Sequence, residues 1–494
     1  MKKVILLLID SLMSDDFENT IISGKAPALK FLYDNGVYQQ NCTTAFPTMT
    51  ASVDATLLTG TYPDRHHIPG LIWYKADEHR LIDYINGTRT VLKLGINSTA
   101  EDVLVNLNEK HLSKKVKTIF EELSDNGISS GAINFIIHRG RTKHQLKLPL
   151  LLNLVTKFSY NNKTITGPDE FCLGVMRKPN YLGRKLPYSF NQTIFKRFGI
   201  NDSFAIQSAK HMINSGNQPD FLAIYLPDHD HYLHKYIYQP VKSLIKVDKL
   251  IKELLNTFGT WEQAIKQNTF IVVGDHGQTK IGNCQKFNID VDEYLKEFNL
   301  VRIGKKVQSD SEVIIANNER MVYIYPIKKH INAAIRAIFL KESRIDFVAW
   351  KEGKEIMVKK HNGKSLTFQK GGKFKDNYGK EWNVEGDLDV LDIKTEGNLI
   401  HYNNYPDALS RLYGALFSQK EEMILITAKP GYEFYSESFP THLGGGSHGS
   451  LHYTDSIVPI IVAGATLMPN PDLRLVDIKD YILQLFNIRS ASTG

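Results

Sequence analysis

A chain of 494 residues, 42% hydrophobic and 23% charged, has the composition of a globular protein and the length to bury a large core, which excludes disordered and fibrous architectures. Its net charge of +7 is modest for this size, giving mild attraction to anions and no expectation of nucleic-acid duplex binding. Three widely separated cysteines, Cys42, Cys172 and Cys284, form neither a disulfide framework nor a C-x-x-C zinc pair, and fit a reducing, cytoplasmic setting.

The N-terminal MKKVILLLID has the lysines and apolar run of a signal peptide. However, the run is short, ends in Asp10 and leads into Asp15 and Asp16 without a small-residue cleavage site. A buried parallel strand ending in a functional carboxylate is the expectation. No stretch approaches the ~20 apolar residues of a membrane span. Further short apolar runs follow: GAINFII, FLAIYL, TFIVVG, MILITA and IVPIIVAG. Near-continuous hydrophobic runs mark strands buried on both faces of a parallel sheet. Amphipathic stretches such as Lys114 to Ile128 and Val241 to Phe258 alternate with them. The predicted fold is therefore α/β, a doubly wound, mostly parallel central sheet flanked by helices.

Two segments interrupt the alternation and read as inserted caps. Residues 139–192 are basic, with ten Lys or Arg between Arg139 and Lys185 against Asp169 and Glu170; the segment is either a solvated face or a substrate-steering lid. Residues 346–399 read as short strands joined by turns at Asn362-Gly363, Gly371-Gly372 and Asp376-Asn377. The remaining core comprises 1–138, 193–345 and 400–494.

Ligands in open α/β sheets bind beyond the carboxyl ends of the strands, so polar residues just after apolar runs are the candidates. Asp10 ends the first run, as a functional carboxylate or a helix cap. Thr50 lies at a turn before the small Ala51 and Ser52 and a helical ATLLTG. There its hydroxyl is either an N-cap or a nucleophile at a helix end that stabilises anions. In DHDHYLH, Asp228 to His234, Asp230 and His234 stand four apart and share one helical face, as one metal requires. Asp275 and His276 close TFIVVG, between Gly274 and Gly277. His448 sits in the glycine-rich HLGGGSHGS, structural or ligand-facing. Oxygen and imidazole donors without a thiolate suit Zn²⁺ or Mn²⁺, and two such ions would clamp an in-line phosphoryl displacement.

The ordered set resembles the type I phosphodiesterase/nucleotide pyrophosphatase branch of the alkaline phosphatase superfamily. It comprises Asp10, Pro47-Thr48-Met49-Thr50, Thr59-Gly60-Thr61-Tyr62-Pro63-Asp64-Arg65-His66, Asp230 to His234-Lys235, Asp275-His276-Gly277 and Ser447-His448-Gly449. The resemblance implies one metal on Asp230, His234 and His448, and a second on Asp10, Thr50, Asp275 and His276. It also implies a phospho-threonine on Thr50 that water hydrolyses, and a small anionic phosphate ester as substrate. The nucleophile is followed by Ala51-Ser52-Val53 where the family has Phe-Pro-Asn. The donor role of that Asn falls to Ser52, a backbone N–H, or Arg139 or Arg141. Cys42, in CTTAF, lacks the C/S-x-P-x-R context of a sulfatase. A phosphomonoesterase or phosphonoacetate-type hydrolase on the same scaffold is the enzymatic alternative, and a non-catalytic metal-stabilised anion-binding protein the alternative of another class.

Overall fold

The computed structural model describes residues 2–160, 162–179, 181–182, 192–437 and 439–489. Arg184 and Lys185 of the basic segment lie outside the described residues.

Seven strands form the central sheet: β1 Lys3–Ile9, β2 Gly36–Thr43, β3 Ser130–Ile133, β4 Glu170–Cys172, β5 Phe221–Leu226, β6 Asn268–Gly274 and β7 Ile457–Ala463. Their spatial order is β2-β7-β6-β1-β5-β3-β4. All pairings are parallel except those of β7, which runs antiparallel to β6 and β2. The mostly parallel α/β sheet expected from the apolar runs is what the chain builds.

Side chains of a strand alternate between faces. Accordingly Val4, Leu6 and Leu8 of β1 enter one apolar cluster, while Ile5, Leu7 and Ile9 enter another on the opposite face. Helix α1, Thr50–Thr59, covers the first face through Leu57 and Leu58. A second helix, α2, Asp228–Tyr236, continues directly from the end of β5. The second face is covered by α3, Pro240–Leu255, whose Leu244, Val247, Ile251 and Leu255 recur at helical spacing. Helix α1 stops at Gly60, whose φ of 65° gives the left-handed C-cap.

One assignment changes. The MILITA run, expected among the central strands, places Ile424–Ala428 in a second, nine-stranded sheet between Met321–Pro326 and Ile345–Glu352, antiparallel to both. It is buried on both faces there, by Leu425 on one side and Ile424 and Ile426 on the other, so its apolar letters are indistinguishable from those of a central strand. This second sheet runs from Val313 to Ala428 and takes in every strand between 345 and 402. Gly371 and Gly372 do not turn the chain; they form a bulge inside the strand Ser365–Asp376.

Because β6, β1 and β5 are adjacent and parallel, residues 275–276, 10 and 228–230 emerge at the same sheet edge. Among the described residues no helix is long and apolar enough to cross a membrane.

Candidate metal centre

After β1 the chain turns at Ser11, with φ 60°, and the backbone N–H of Ser11 donates to Asp275 Oδ1 at 2.8 Å. The N–H of His276 donates to the same oxygen at 2.7 Å. Asp275 is thus held by one oxygen and presents the other. Asp10 is built alike: Oδ2 accepts the Tyr225 hydroxyl, leaving Oδ1. On His276, Nδ1 stands 3.2 Å from the Gly277 carbonyl, which fixes the proton there and turns the Nε2 lone pair outward. Nε2 lies 3.3 Å from Asp275 Oδ2 and 3.6 Å from Asp10 Oδ1. All three atoms are buried without a hydrogen-bond partner. A lone pair facing two carboxylate oxygens is repulsive in a water-excluded pocket unless a cation lies between them.

Beside this group, the first turns of α2 bring Asp230 Oδ2 within 3.3 Å of His234 Nε2. His448 Nε2 lies 3.8 Å from Asp230 Oδ1. The Nδ1 atoms again face backbone carbonyls, Gly446 O at 2.8 Å for His234 and Thr48 O at 2.7 Å for His448. Orienting an imidazole through Nδ1 so that Nε2 is free is how proteins prepare metal ligands. Ser11 Oγ and Gln278 Nε2 both donate to Asp230 Oδ1, at 2.8 and 2.6 Å. The rings of His276 and His448 stack with centroids 3.8 Å apart, so the two groups touch. The donor atoms of Asp10, Asp275 and His276 lie within 4.8 Å of one another, as do those of Asp230, His276 and His448.

The electrostatics point the same way. Burial, with Asp230 and Asp275 nearby, drives the Asp10 carboxyl well above its usual range. For Asp230 burial also opposes ionisation, but His234, His448 and His276 outweigh it and hold the carboxyl well below that range. His234 is raised to about 10, because Asp230 and Glu319 overcome its burial. Crowded carboxylates and imidazoles of this kind are what a divalent cation neutralises. The donor set therefore fits metal.

Thr50 is the first residue of α1 and is half-buried. Its approach is stitched to both donor groups. Thr48 O receives His448 Nδ1, Thr48 Oγ1 accepts the Gly449 N–H at 2.8 Å, and Thr44 Oγ1 donates to the Asp275 carbonyl.

Several sequence candidates serve elsewhere. Arg139 is buried on Glu121 and the carbonyls of Leu112, Ser113 and Val116, and Arg141 pairs with Asp125 and Glu121. Neither is available to replace the family's Asn, because each guanidinium is already engaged. Ser52 is fully buried with its hydroxyl unpartnered. Within DHDHYLH, Asp228 pairs with Arg197 and receives the Asp202 N–H, and burial lowers His229 to about 4. Ser11, Tyr225, Gln278, Glu319 and His442 carry no mark of the site in the sequence, since none of them follows an apolar run as a strand-end acid or imidazole.

An α/β sheet whose strand ends gather carboxylates and oriented imidazoles defines the class: a doubly wound scaffold with a candidate metal centre. The particular assignment comes from comparison. The model of the type I phosphodiesterase/nucleotide pyrophosphatase family matches residues 4–451, and the chain belongs to that family of hydrolytic enzymes. No curated protein matches. Among solved structures, murine ectonucleotide pyrophosphatase/phosphodiesterase 5 aligns with a TM-score of 0.58 at 14% identity, covering 100% of this chain and 97% of that one. An inactive variant of the same enzyme in complex with AMP aligns at 13% identity, with the same TM-score and coverage. Phosphonoacetate hydrolase from Sinorhizobium meliloti, in complex with phosphonoformate, aligns with a TM-score of 0.55 at 17% identity over 98% of this chain and 96% of that one.

Proposed function

We propose that this protein hydrolyses phosphodiester or pyrophosphate bonds of a small anionic substrate, with Thr50 as nucleophile and two divalent cations. The observation that carries this reading is the convergence of three orphaned buried atoms, Asp10 Oδ1, Asp275 Oδ2 and His276 Nε2, beside Asp230, His234 and His448. Asp230, His234 and His448 would hold one cation; Asp10, Asp275, His276 and the Thr50 hydroxyl would hold the other. Zinc, or manganese, suits these donors. Such ions, when bound, supply positive charge to the phosphoryl oxygens and acidify a ligating hydroxyl.

The chain's own residues do the rest. Thr50 Oγ forms the bond to phosphorus as the bond to the leaving-group oxygen breaks, giving a phospho-threonine that water cleaves in a second displacement. At the N-terminus of α1 the N–H groups of Thr50 and Ala51 would face the phosphoryl group, those of Ser52 and Val53 being bonded to the Met49 carbonyl. Ser11, Gln278 and Tyr225 hold the carboxylates at the required orientation. AMP on one structural neighbour and phosphonoformate on another support a small anionic ligand. The unpaired cysteines, Cys42 and Cys172 buried and Cys284 exposed, support a reducing, cytoplasmic compartment. We read residues 139–192 and 346–399 as the segments that select the substrate.

The alternative, a phosphomonoesterase or phosphonate hydrolase on this site, draws support from Ala51-Ser52-Val53, which lacks the family's amide donor. An assay of bis(p-nitrophenyl) phosphate, p-nitrophenyl phosphate, a dinucleotide pyrophosphate and phosphonoacetate, each with zinc and with manganese, separates the two. The proposal expects the diester or pyrophosphate to be turned over fastest and Thr50→Ala to abolish that turnover with metal retained. Fastest cleavage of the monoester or of phosphonoacetate would overturn the substrate class, and full activity of Thr50→Ala would overturn the nucleophile.

A further inference from the structure

Two donors stand beside His234 and His448 that neither the motifs nor the family resemblance assigns to a metal. Glu319 occupies the tip of the hairpin joining Val313–Asn318 to Met321–Pro326, at φ 63°, where a non-glycine residue is uncommon. It is buried. Its Oε2 accepts Ser447 Oγ at 2.9 Å and the His448 N–H at 3.2 Å. The same oxygen lies 3.7 Å from His448 Nε2, matching the 3.8 Å from Asp230 Oδ1 to that nitrogen.

His442 comes from the loop before His448. The buried carboxylate of Glu433 accepts its backbone N–H at 2.6 Å and engages its Nδ1 at 3.0 Å. This leaves Nε2 as the free nitrogen, the arrangement already seen on His234, His276 and His448. The His442 ring stacks on His234 with centroids 4.2 Å apart. One nitrogen of His234, one nitrogen of His442 and a Glu319 oxygen lie within 4.8 Å of one another.

The hydrogen bonds that Glu319 accepts from Ser447 and His448 hold the turn at His448, but they do not account for the approach of Glu319 to the imidazoles. Glu433 already satisfies His442, and Glu319 stays 3.8 Å from its Nδ1, beyond hydrogen-bond reach. What Glu319 approaches instead is a lone pair shared with a second carboxylate, which is the environment of a cation. We propose that Glu319 and His442 join Asp230, His234 and His448 as protein ligands of one divalent cation, making a five-donor site of three imidazoles and two carboxylates. The inference rests on the two-cation reading above. Such a shell suits a five- or six-coordinate ion such as Mn²⁺, Fe²⁺ or Co²⁺, where a three-ligand shell suits tetrahedral zinc. It leaves at most one position for a substrate oxygen. The second carboxylate also cancels the site's remaining positive charge, which disfavours a dianionic monoester relative to a monoanionic diester.

The test is the visible absorption of cobalt-loaded full-length protein, with metal content measured by mass spectrometry, for the wild type and for Glu319→Gln and His442→Asn. Glu319→Gln keeps an acceptor for Ser447 and His448, so the two variants guard against a folding artefact in either one. The expected result is two cobalt ions per wild-type chain, the five-donor site adding only the weak bands of a five- or six-coordinate ion to those of the four-donor site. Each variant should show stronger, tetrahedral-like bands and cobalt affinity lowered by roughly tenfold or more. Two bound ions with spectra and affinity unchanged in both variants would overturn this inference while leaving the two-cation reading intact. A wild-type chain that takes up no cobalt would overturn both.

Discussion

The two sides of the centre are built differently. On one side Asp10, Asp275 and His276 ride on adjacent parallel strands buried on both faces, so the core itself sets their spacing. On the other side His448 and His442 belong to a glycine-rich loop, and Glu319 to a hairpin of the second sheet. Those positions depend on hydrogen bonds between segments far apart in sequence, such as His448 Nδ1 to Thr48 O and Glu319 Oε2 from Ser447. The strand side supplies rigidity, and the loop side supplies what can vary between relatives without disturbing the sheet.

This contrast is sharpened first by Asp275→Asn. It leaves the fold in place, because the amide oxygen still accepts from Ser11 and His276. It removes one cation and lowers turnover by about a thousandfold or more; metal content and kcat measured together check it, and full metal content with normal kcat would contradict the assignment. The next effect is on stability at acid pH. His66 is fully buried, accepts the Ile68 N–H at Nδ1 and meets Thr56 Oγ1 with Nε2, and burial lowers it to about 3. Its folded value lies below the unfolded value near 6.5, so the unfolded chain binds the extra proton between them. The contribution is complete above about pH 6.5 and is lost as pH falls toward 3, amounting to a few kcal/mol. Urea unfolding at a series of pH values should show a shallower acid slope in His66→Gln than in the wild type; equal slopes would exclude His66 as a source of acid lability.

A smaller effect is expected of Ser11→Ala, which removes the hydroxyl that bonds to Asp230 Oδ1 and stands 3.2 Å from His276 Nδ1 but leaves every proposed ligand residue in place. Metal affinity should fall by about 10- to 100-fold with modest change in Tm, and an isothermal titration showing unchanged affinity would assign Ser11 to the turn alone. The smallest belongs to the basic segment. Arg141→Ala breaks an exposed pair with Asp125, costing about 0.2–1 kcal/mol and leaving KM unchanged. A several-fold rise in KM would return that arginine to substrate binding.

The same contrast explains what could be read from the sequence. Asp10, Asp230, Asp275 and His276 were legible because strands buried on both faces print as unbroken apolar runs, and the residues just past them stand at the sheet edge. Thr50 and His448 were legible through small and glycine-rich surroundings. Glu319 was not, since a glutamate after Asn317-Asn318 reads as a solvated hairpin tip. Only the folding of that hairpin onto the His448 loop buries it, with the Arg320 N–H bonded to His448 O at 2.9 Å. Tyr225 was hidden inside its own strand. MILITA was misplaced because an apolar run records burial but not which sheet provides it.

Anomalous diffraction from crystals grown with zinc or manganese tests the central claim most directly. Two peaks per chain are expected, one among Asp10, Asp275 and His276 and one among Asp230, His234 and His448, with the Thr50 hydroxyl on the first of them. Absence of both peaks, or ions bound only away from these side chains, would contradict it.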